Sequence, residues 1–578
     1  MPNFPLARAQ FSATEAYALL REPEVQAFLA APRAALAAAL ELSRSKGSHA
    51  VRSEQLVLQA LQGEVFIAVT RLGTTQPVQP HLVIGADLKR KRLEVTAVLD
   101  QLERRFVTAN PGASVARKKY FGVRFTQWQF RNGRQFCYTM LNSLLVLTTD
   151  EDDMRDIITR FAGQAAPDSM PLASSAQFQN ALQQMPAGHT LFTYFNVEQL
   201  LGPVRSLLAL APQVAGMFER IGRIQTMASS TTFVRDTVRD VSLVAHSRAD
   251  KPAPSPLQRK TLALTSPETS FYSVRTTDWA AAYSEGMNTL AHLGNSTFSS
   301  RAAQFDQNVR DKGVRISEDL LQRIGPETAT IATWRKGAQW PDVAIVAEFQ
   351  SSPESRRALD VVLGALKEAT VGNDQQVPWE ENSHRGETLR TVRLVDSSIA
   401  PTYVATDKFF ILTLTPDYAR ELVSHLKEGK ETLVANPLFR DLTRRRFVAA
   451  TALTYCDLRT VYGPLYSLAH ANASSSDSNS LFQLDKLPSA DAIVRHLSPY
   501  VSVTLETERS TTTATASSLG KPLTFLVGAV GAIGATQPLL ARLPLDLIPG
   551  MPTMSSGTGA PPPPRGNRTA SSQTPPIQ

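Results

Sequence analysis

Short runs of apolar and β-branched residues alternate along this chain with stretches whose apolar residues recur at three- and four-residue spacing. The rhythm plays twice. Glu64–Thr70 and His81–Ala86 predict a pair of strands, as do Thr328–Trp334 and Val343–Phe349 later on. A helix is predicted after each pair, Leu93–Phe106 and Glu354–Ala369. In the first of these Leu93, Val95, Val98, Leu99 and Leu102 make the apolar stripe. Two further strands follow, Tyr120–Phe130 and Phe136–Thr148, with Leu389–Val395 and Thr402–Leu414 as counterparts. Helices are predicted at Glu151–Phe161, whose acidic first turn suits the helix dipole, and at Pro416–Leu426. Each copy then reads as a strand (Thr190–Asn196, Ala449–Asp457), a helix carrying Gly-Pro, and a closing hairpin. The hairpins are Ile224–Val234 with Val238–His246, and Tyr500–Glu506 with Thr511–Ala516.

The two rounds are related in sequence. Thr193-Tyr194-Phe195-Asn196 leads to Gly202-Pro203-Val204-Arg205-Ser206-Leu207, and Thr454-Tyr455-Cys456-Asp457 leads to Gly463-Pro464-Leu465-Tyr466-Ser467-Leu468. The offset is 454 − 193 = 261 at the threonines and 463 − 202 = 261 at the glycines. Ser53-Glu54-Gln55-Leu56 matches Ser317-Glu318-Asp319-Leu320 (317 − 53 = 264), and Leu144–Thr148 matches Phe409–Thr413 (409 − 144 = 265). Offsets that drift by a few residues are what loop insertions produce. The expected architecture is α+β, two tandem copies of an antiparallel-sheet module of order β-β-α-β-β-α plus strand, helix and closing hairpin. Hairpin connections imply antiparallel sheets with helices on one face. The first module is assigned to residues 1–265, the second to 266–519, a hydrophobic segment to 520–545 and a disordered tail to 546–578.

The copies differ at their starts. The second opens with a strand-like run, Ser270–Val274, ahead of a helix around Trp279–Leu290. The first opens directly on a helix, with Ser12 and Glu15 in the Ser-x-x-Glu pattern of a capping box. The first module is therefore expected to lack its first strand. A start site placed too far downstream would account for that and would leave room for a signal peptide. MPNFPLARAQ itself has no apolar core of that kind, so compartment turns on the true start: extracytoplasmic or membrane-associated if it lies upstream, cytoplasmic if Met1 is it. At the other end, Pro522–Ala541 are 20 residues without charge, enough to span a bilayer as a helix. Gln537 and Pro538 interrupt the segment, so docking on the second module competes with insertion. Residues 551–578 are rich in Pro, Ser, Thr and Gly and cannot fold alone.

Composition and charge alter this picture little. Of 578 residues 43% are hydrophobic and 19% charged, which suits a folded body, and a net charge of +8 admits anionic partners without requiring them. Two cysteines, Cys137 and Cys456, exclude a disulfide framework and a four-cysteine zinc site; they read as buried free thiols, with a single bridge the alternative. None of the nine histidines pairs with another across a helical turn around a glutamate, and they read as surface or loop residues. Ser43-Arg44-Ser45-Lys46 lacks the partner motifs of penicillin-binding enzymes. Gly528, Gly531 and Gly534 lack the spacing of a dinucleotide loop. No catalytic, cofactor or metal residues are assigned. The remaining candidates are basic: Lys89, Arg90, Lys91 and Arg92 ahead of a helix, and Arg117, Lys118 and Lys119 on a strand, with Arg444–Arg446 as a third cluster. They read as a solvated face, with anion binding as the functional alternative. Tyr120, Phe121 and Trp128 follow one patch at strand spacing that serves a core equally well, so nucleic acid is not the expected partner.

The helix Glu22–Leu29, the step Pro267-Glu268-Thr269 into a strand, and the apolar segment after the last hairpin resemble a bacterial family of large, usually exported proteins. That family is a domain of unknown function, common in Planctomycetes, Verrucomicrobia and their relatives. The resemblance spans residues 15–540, carries no catalytic residues, and implies export and a tandem-module body. The function expected is a non-enzymatic envelope protein that binds or scaffolds another protein or a polyanion, with membrane contact through 522–541. The alternative is a cytoplasmic protein that binds anions or nucleic acid through its basic patches.

Overall fold

In the computed structural model the described residues are 1–34, 59–72, 80–110, 112–165, 170–200, 223–247, 252–292, 296–338, 340–371, 379–393, 399–443, 449–473 and 487–520. Outside them lie Ser43–Lys46, Ser53–Leu56, Gly202–Leu207, Arg444–Arg446, the apolar segment 522–541 with its glycines, and the tail. The chain is α+β, 40% helical and 33% strand.

Three helices open it, α1 (Phe4–Ser12), α2 (Glu15–Arg21) and α3 (Pro23–Phe28). The capping box expected at Ser12 is not what starts the second of these. Ser12 ends α1, and Thr14 caps α2 by accepting from the Tyr17 N–H at 3.2 Å. Next come β1 (Val65–Leu72), β2 (Pro80–Asp87), α4 (Arg92–Ala109), β3 (Ser114–Tyr120), β4 (Val123–Gln129), β5 (Gln135–Leu141), β6 (Leu144–Thr148), α5 (Glu151–Phe161), α6 (Ala176–Gln183), β7 (Leu191–Asn196), β8 (Ile224–Val234) and β9 (Thr237–His246). The second half runs β10 (Phe271–Thr276), α7 (Trp279–His292), α8 (Ser296–Asp311), β11 (Ile324–Thr333), β12 (Asp342–Phe349), α9 (Pro353–Val371), β13 (Trp379–His384), β14 (Glu387–Val392), β15 (Thr402–Ala405), β16 (Phe409–Thr413) and α10 (Pro416–Glu428). It closes with α11 (Pro437–Thr443), β17 (Ala452–Cys456), α12 (Leu458–Ala473), α13 (Ala490–Val494), β18 (Tyr500–Glu506) and β19 (Ser510–Ser517).

Where one strand was expected over Phe136–Thr148, the chain folds back. Asn142 at φ 54 turns β5 into β6, and Phe121 and Gly122 at φ 43 and 81 turn β3 into β4. Two successive positive φ values give a turn whose twist matches a hairpin, and the glycine adopts its value without strain. The order in each half is therefore β-β-α-β-β-β-β-α.

Six strands form one sheet in the order β1-β2-β6-β5-β4-β3, and thirteen form the other, β13-β14-β15-β16-β12-β11-β10-β17-β18-β19-β9-β8-β7. The run β11-β12-β16-β15-β14-β13 repeats the order of the first sheet, and β17-β18-β19 repeats β7-β8-β9. The large sheet crosses from the second half into the first by antiparallel pairing of Ser510–Ser517 with Val238–Ala245. Residue 265 is thus a point in the connecting loop and does not divide the sheets.

Helices cover both faces rather than one. On one face of the first sheet Val95 and Leu99 of α4 pack with Ala86, Leu88 and Leu145. On the other, Met154 and Ile158 of α5 pack with Val83, Phe125, Cys137 and Val146. Leu93, expected in the α4 stripe, is 83% exposed, because it stands two residues before Val95 and so roughly 200° around the helix from it. In the second half α9 and α10 flank the sheet in the same way. The largest core joins Tyr272, Val274, Ala329, Ile331, Ile411, Leu433, Phe439 and Tyr455. Ala16, Leu19 and Val25 of the opening helices pack against Tyr462, Ile493 and Leu497, tying the two ends of the chain together.

Candidate functional site

The basic residues split into two groups. Lys89–Lys91 form one 3₁₀ turn between β2 and α4, and Lys89 is held there at φ 46 with its N–H donating to Asp87 Oδ1 at 3.1 Å. Lys91 Nζ pairs with Glu94 at 2.6 Å, whereas Lys89, Arg90 and Arg92 are exposed and face no carboxylate among the described residues. Leu93 stands beside them, open to solvent. The second group lies on the edge strand β3, whose alternation sends its side chains to opposite faces. Arg117 reaches Glu103 of α4 at 2.7 Å, Lys118 reaches Glu151 of α5 at 2.6 Å, and Lys119 is exposed. Arg92 and Glu103 are 103 − 92 = 11 residues apart on α4, about 16 Å, so the two groups do not merge. In the second half a conventional helix start, Ser352-Pro353-Glu354, replaces the basic run: the Ser355 N–H donates to Ser352 Oγ at 3.1 Å.

The aromatic residues near the strand patch are mostly spent in the core. Trp128 stacks on Phe106 with centroids 4.9 Å apart and meets Tyr138 edge-on at 5.8 Å, while Phe121 is exposed at its hairpin.

A second charged cluster was not foreseen. Its four acids, Asp150–Asp153, are consecutive, but their partners are remote in sequence. Asp150 caps α5, accepting from the Asp152 N–H at 2.8 Å. Arg71 of β1 pairs with Asp150 at 2.9 Å and donates from Nε to His81 Nδ1 at 3.2 Å. His81 Nδ1 also lies 3.5 Å from Asp153 Oδ2 and 3.7 Å from Asp150 Oδ2. His81, Asp150 and Asp153 offer three metal-ligand atoms within 4.8 Å of one another. The Arg71 guanidinium already supplies the positive charge and occupies the ring nitrogen, so the corner is satisfied as an ion-pair network. Beside it Glu151 is partly buried, which would push its pKa up, but hydrogen bonds from Lys118 and Arg155 outweigh this and hold it below the ordinary carboxylate value.

His496 lies in the turn after α13, a loop position as expected, but it is buried. Its Nδ1 lies 2.7 Å from Glu15 and its Nε2 2.8 Å from Glu22, a bridge from that turn to the opening helices. Cys137 is a buried free thiol in the first sheet, as expected, whereas Cys456, a free thiol in the second, is only half-buried. Burial pushes Cys137 up to about 11 and Cys456 up to about 12.

The chain matches no protein-family profile and no curated protein. Among solved structures it is similar, at 10% identity and a TM-score of 0.22, to one described as crystal form I of TP0453, over 46% of this chain and 84% of that one. A superposition that slight establishes no common fold. No described helix is long and apolar enough to cross a membrane.

Proposed function

We propose that the chain is a non-enzymatic binding or scaffolding protein of the cell envelope, and that it meets an anionic surface through the turn Lys89–Leu93. The observation that carries this reading is the company Leu93 keeps. A leucine left 83% exposed next to three cations that face no carboxylate among the described residues is the composition of a segment that places charge at headgroups and an apolar side chain beneath them. At about 1 kcal/mol per cation near an anionic surface, Lys89, Arg90 and Arg92 together are worth roughly a hundredfold in affinity. The rest of the molecule acts as the rigid support.

That support is best read as two copies of one module, 1–265 and 266–519, joined edge to edge through β9 and β19. Three matches favour this: the repeated strand order, the edge-on ring pairs Phe178–Tyr194 at 5.1 Å and Phe439–Tyr455 at 5.3 Å, and the bonds Thr190 N–H to Thr231 O at 2.9 Å and Thr451 N–H to Thr504 O at 2.8 Å. Export and an apolar contact through 522–541 belong to the same reading. Co-sedimentation with vesicles tests it. Binding to vesicles containing an anionic lipid, weakened by salt and lost on joint substitution of Lys89, Arg90, Arg92 and Leu93 by serine, is expected; equal binding to neutral vesicles, or none to either, refutes it. The competing reading, a cytoplasmic binder of anions or nucleic acid, is disfavoured for nucleic acid by Trp128, whose ring is already stacked on Phe106. Filter binding of DNA and RNA that falls steeply with salt would reinstate it.

A further inference from the structure

In the second half, β10 stands between β11 and β17 and pairs antiparallel with both. Its inward side chains complete two cross-strand rows, Ile331–Tyr272–Tyr455 and Ala329–Val274–Leu453. The corresponding strands of the first half are β1 and β7. Among the described residues β1 pairs with β2 and β7 with β8, and the facing edges of β1 and β7 carry no strand between them.

One residue occupies the first rung of that ladder. The Met1 amino group donates to the Val65 carbonyl at 3.0 Å, and the Val65 N–H donates to the Met1 carbonyl at 3.0 Å. Val65 corresponds to Thr328, because Ile67 faces Ile84 as Thr330 faces Ile345 (328 − 65 = 330 − 67 = 263). Met1 therefore holds the place of Arg275, which pairs with Thr328. The next step is alike after a shift of one residue (278 − 3 = 275 against 275 − 1 = 274): Asn3 caps α1 by accepting from the Leu6 N–H at 3.1 Å, as Asp278 accepts from the Ala281 N–H at 2.9 Å ahead of α7. Helix α1 then spans the gap. Phe4 N–H donates to Gly63 O at 3.0 Å beside β1, and Gln10 accepts from Thr190 at 2.8 Å beside β7. A cavity of about 380 Å³ remains between Pro2 and Leu6 on one side and His189 and Thr190 on the other.

The side chains around the slot are uncovered where their counterparts are covered. Phe66, Ala68 and Thr70 lie on the face where Ala329, Ile331 and Thr333 are buried; Phe66 is 36% exposed and its counterpart Ala329 is 1% exposed. Leu172 is 55% exposed, whereas Leu433 is 0% exposed and donates its N–H to Thr265 Oγ1 at 3.0 Å. What covers the second half is one continuous piece of chain, the 3₁₀ turn Lys260–Leu264 followed by β10, pinned where the Thr261 and Tyr272 hydroxyls meet at 2.9 Å.

We propose that the slot between β1 and β7 is a strand-acceptor site, and that its occupant is an extended segment entering from the amino side of Met1. Like Lys260–Val274, that segment carries a leucine-bearing turn to cover Leu172 and alternating apolar residues to complete the rows begun by Phe66 and Phe192. Continuity of the backbone ladder favours this source over a second copy or a free peptide, since Met1 already makes the first pair in register. The inference stands apart from the anionic-surface reading, and either can fail alone.

The test joins a copy of Lys260–Val274 directly ahead of Met1 in the full chain, with a control in which Tyr272 and Val274 of the copied segment are replaced by proline. Hydrogen exchange by mass spectrometry follows Val65–Leu72 and Leu191–Asn196. The expected result is slowed exchange in both segments and an upward shift of the melting midpoint of more than about 5 °C, both absent from the proline control. Slowing in only one segment, or in neither, overturns the proposal. So does finding that the unextended chain gains the same protection as its concentration rises, which would give the slot to a second copy, or that the free peptide protects both strands while the fusion does not.

Discussion

Leu172 and Leu433 are the same residue at equivalent places in the two halves, each opening a short 3₁₀ turn before the helix that carries Phe178 or Phe439. Only one is covered. Replacing Leu433 with alanine removes a fully buried side chain from the cluster of Ile331, Tyr272, Phe439 and Tyr455. The lost transfer energy and the cavity left in a packed site together cost about 3–4 kcal/mol. Leu172 keeps more than half its surface in water, so less than half of the roughly 2 kcal/mol transfer term is at stake and no closed cavity forms. Leu172→Ala should therefore cost less than about 1 kcal/mol. Urea unfolding of the two variants, followed by tryptophan fluorescence and by far-ultraviolet dichroism so that separate transitions in the two halves are visible, measures both losses. Equal losses would refute the assignment of cover to one half and openness to the other. In a chain extended by the strand-bearing segment the Leu172→Ala cost should rise toward that of Leu433→Ala.

Three further outcomes are expected. Raised to about 11 and about 12, the thiols of Cys137 and Cys456 should stay unreactive toward a disulfide reagent at pH 8 in the native protein and react in full on denaturation; a thiol that reacts natively contradicts the burial assigned to it. Lys118→Met removes one of the partners holding Glu151 low. Because a depressed carboxylate contributes stability that is present above its unfolded value of about 4.5 and lost as pH falls through the folded value, the variant should lose about 0.5–1 kcal/mol at pH 7 and nothing below that window, a figure already reduced for the exposure of Lys118; a loss independent of pH would be inconsistent with this. If 522–541 contacts membrane, full-length protein should fractionate with membranes and a version ending at Leu519 should not; identical solubility of the two removes that contact from the account.

Much of the fold can be read in the sequence because similar stretches of sequence fall on similar elements. Leu144–Thr148 and Phe409–Thr413 form matching strands, and in both the threonine hydroxyl donates two residues on, to Asp150 O and Thr415 O, at 2.7 Å. The Asn142 turn was missed because Phe136–Thr148 is an apolar run long enough to pass for one strand, and β3 was missed because Ser114–Tyr120 is a basic stretch without an apolar pattern. The junction of β9 with β19 left no signal, since Ser510–Ser517 is a serine- and threonine-rich edge whose pairing is made by the backbone. Helices on both faces are legible only in hindsight, from inward residues on both parities of β2 and β12. The basic turn was readable as a charge run, but its importance depends on Leu93 lying off the helix stripe. The Arg71–His81–Asp150 corner joins residues up to 79 positions apart, and only its acidic run was visible in advance.

The most direct test is site-resolved hydrogen exchange in the chain as it stands, comparing Ile67 of β1 with Thr330 of β11. Val65 donates outward to Met1, and the alternation of a strand turns the Ile67 N–H the same way, toward the edge that no described strand pairs; the Thr330 N–H faces β10. The account predicts that the Ile67 amide exchanges through local exposure, orders of magnitude faster than Thr330, which opens only with the sheet. Equal and strong protection at both positions would contradict it.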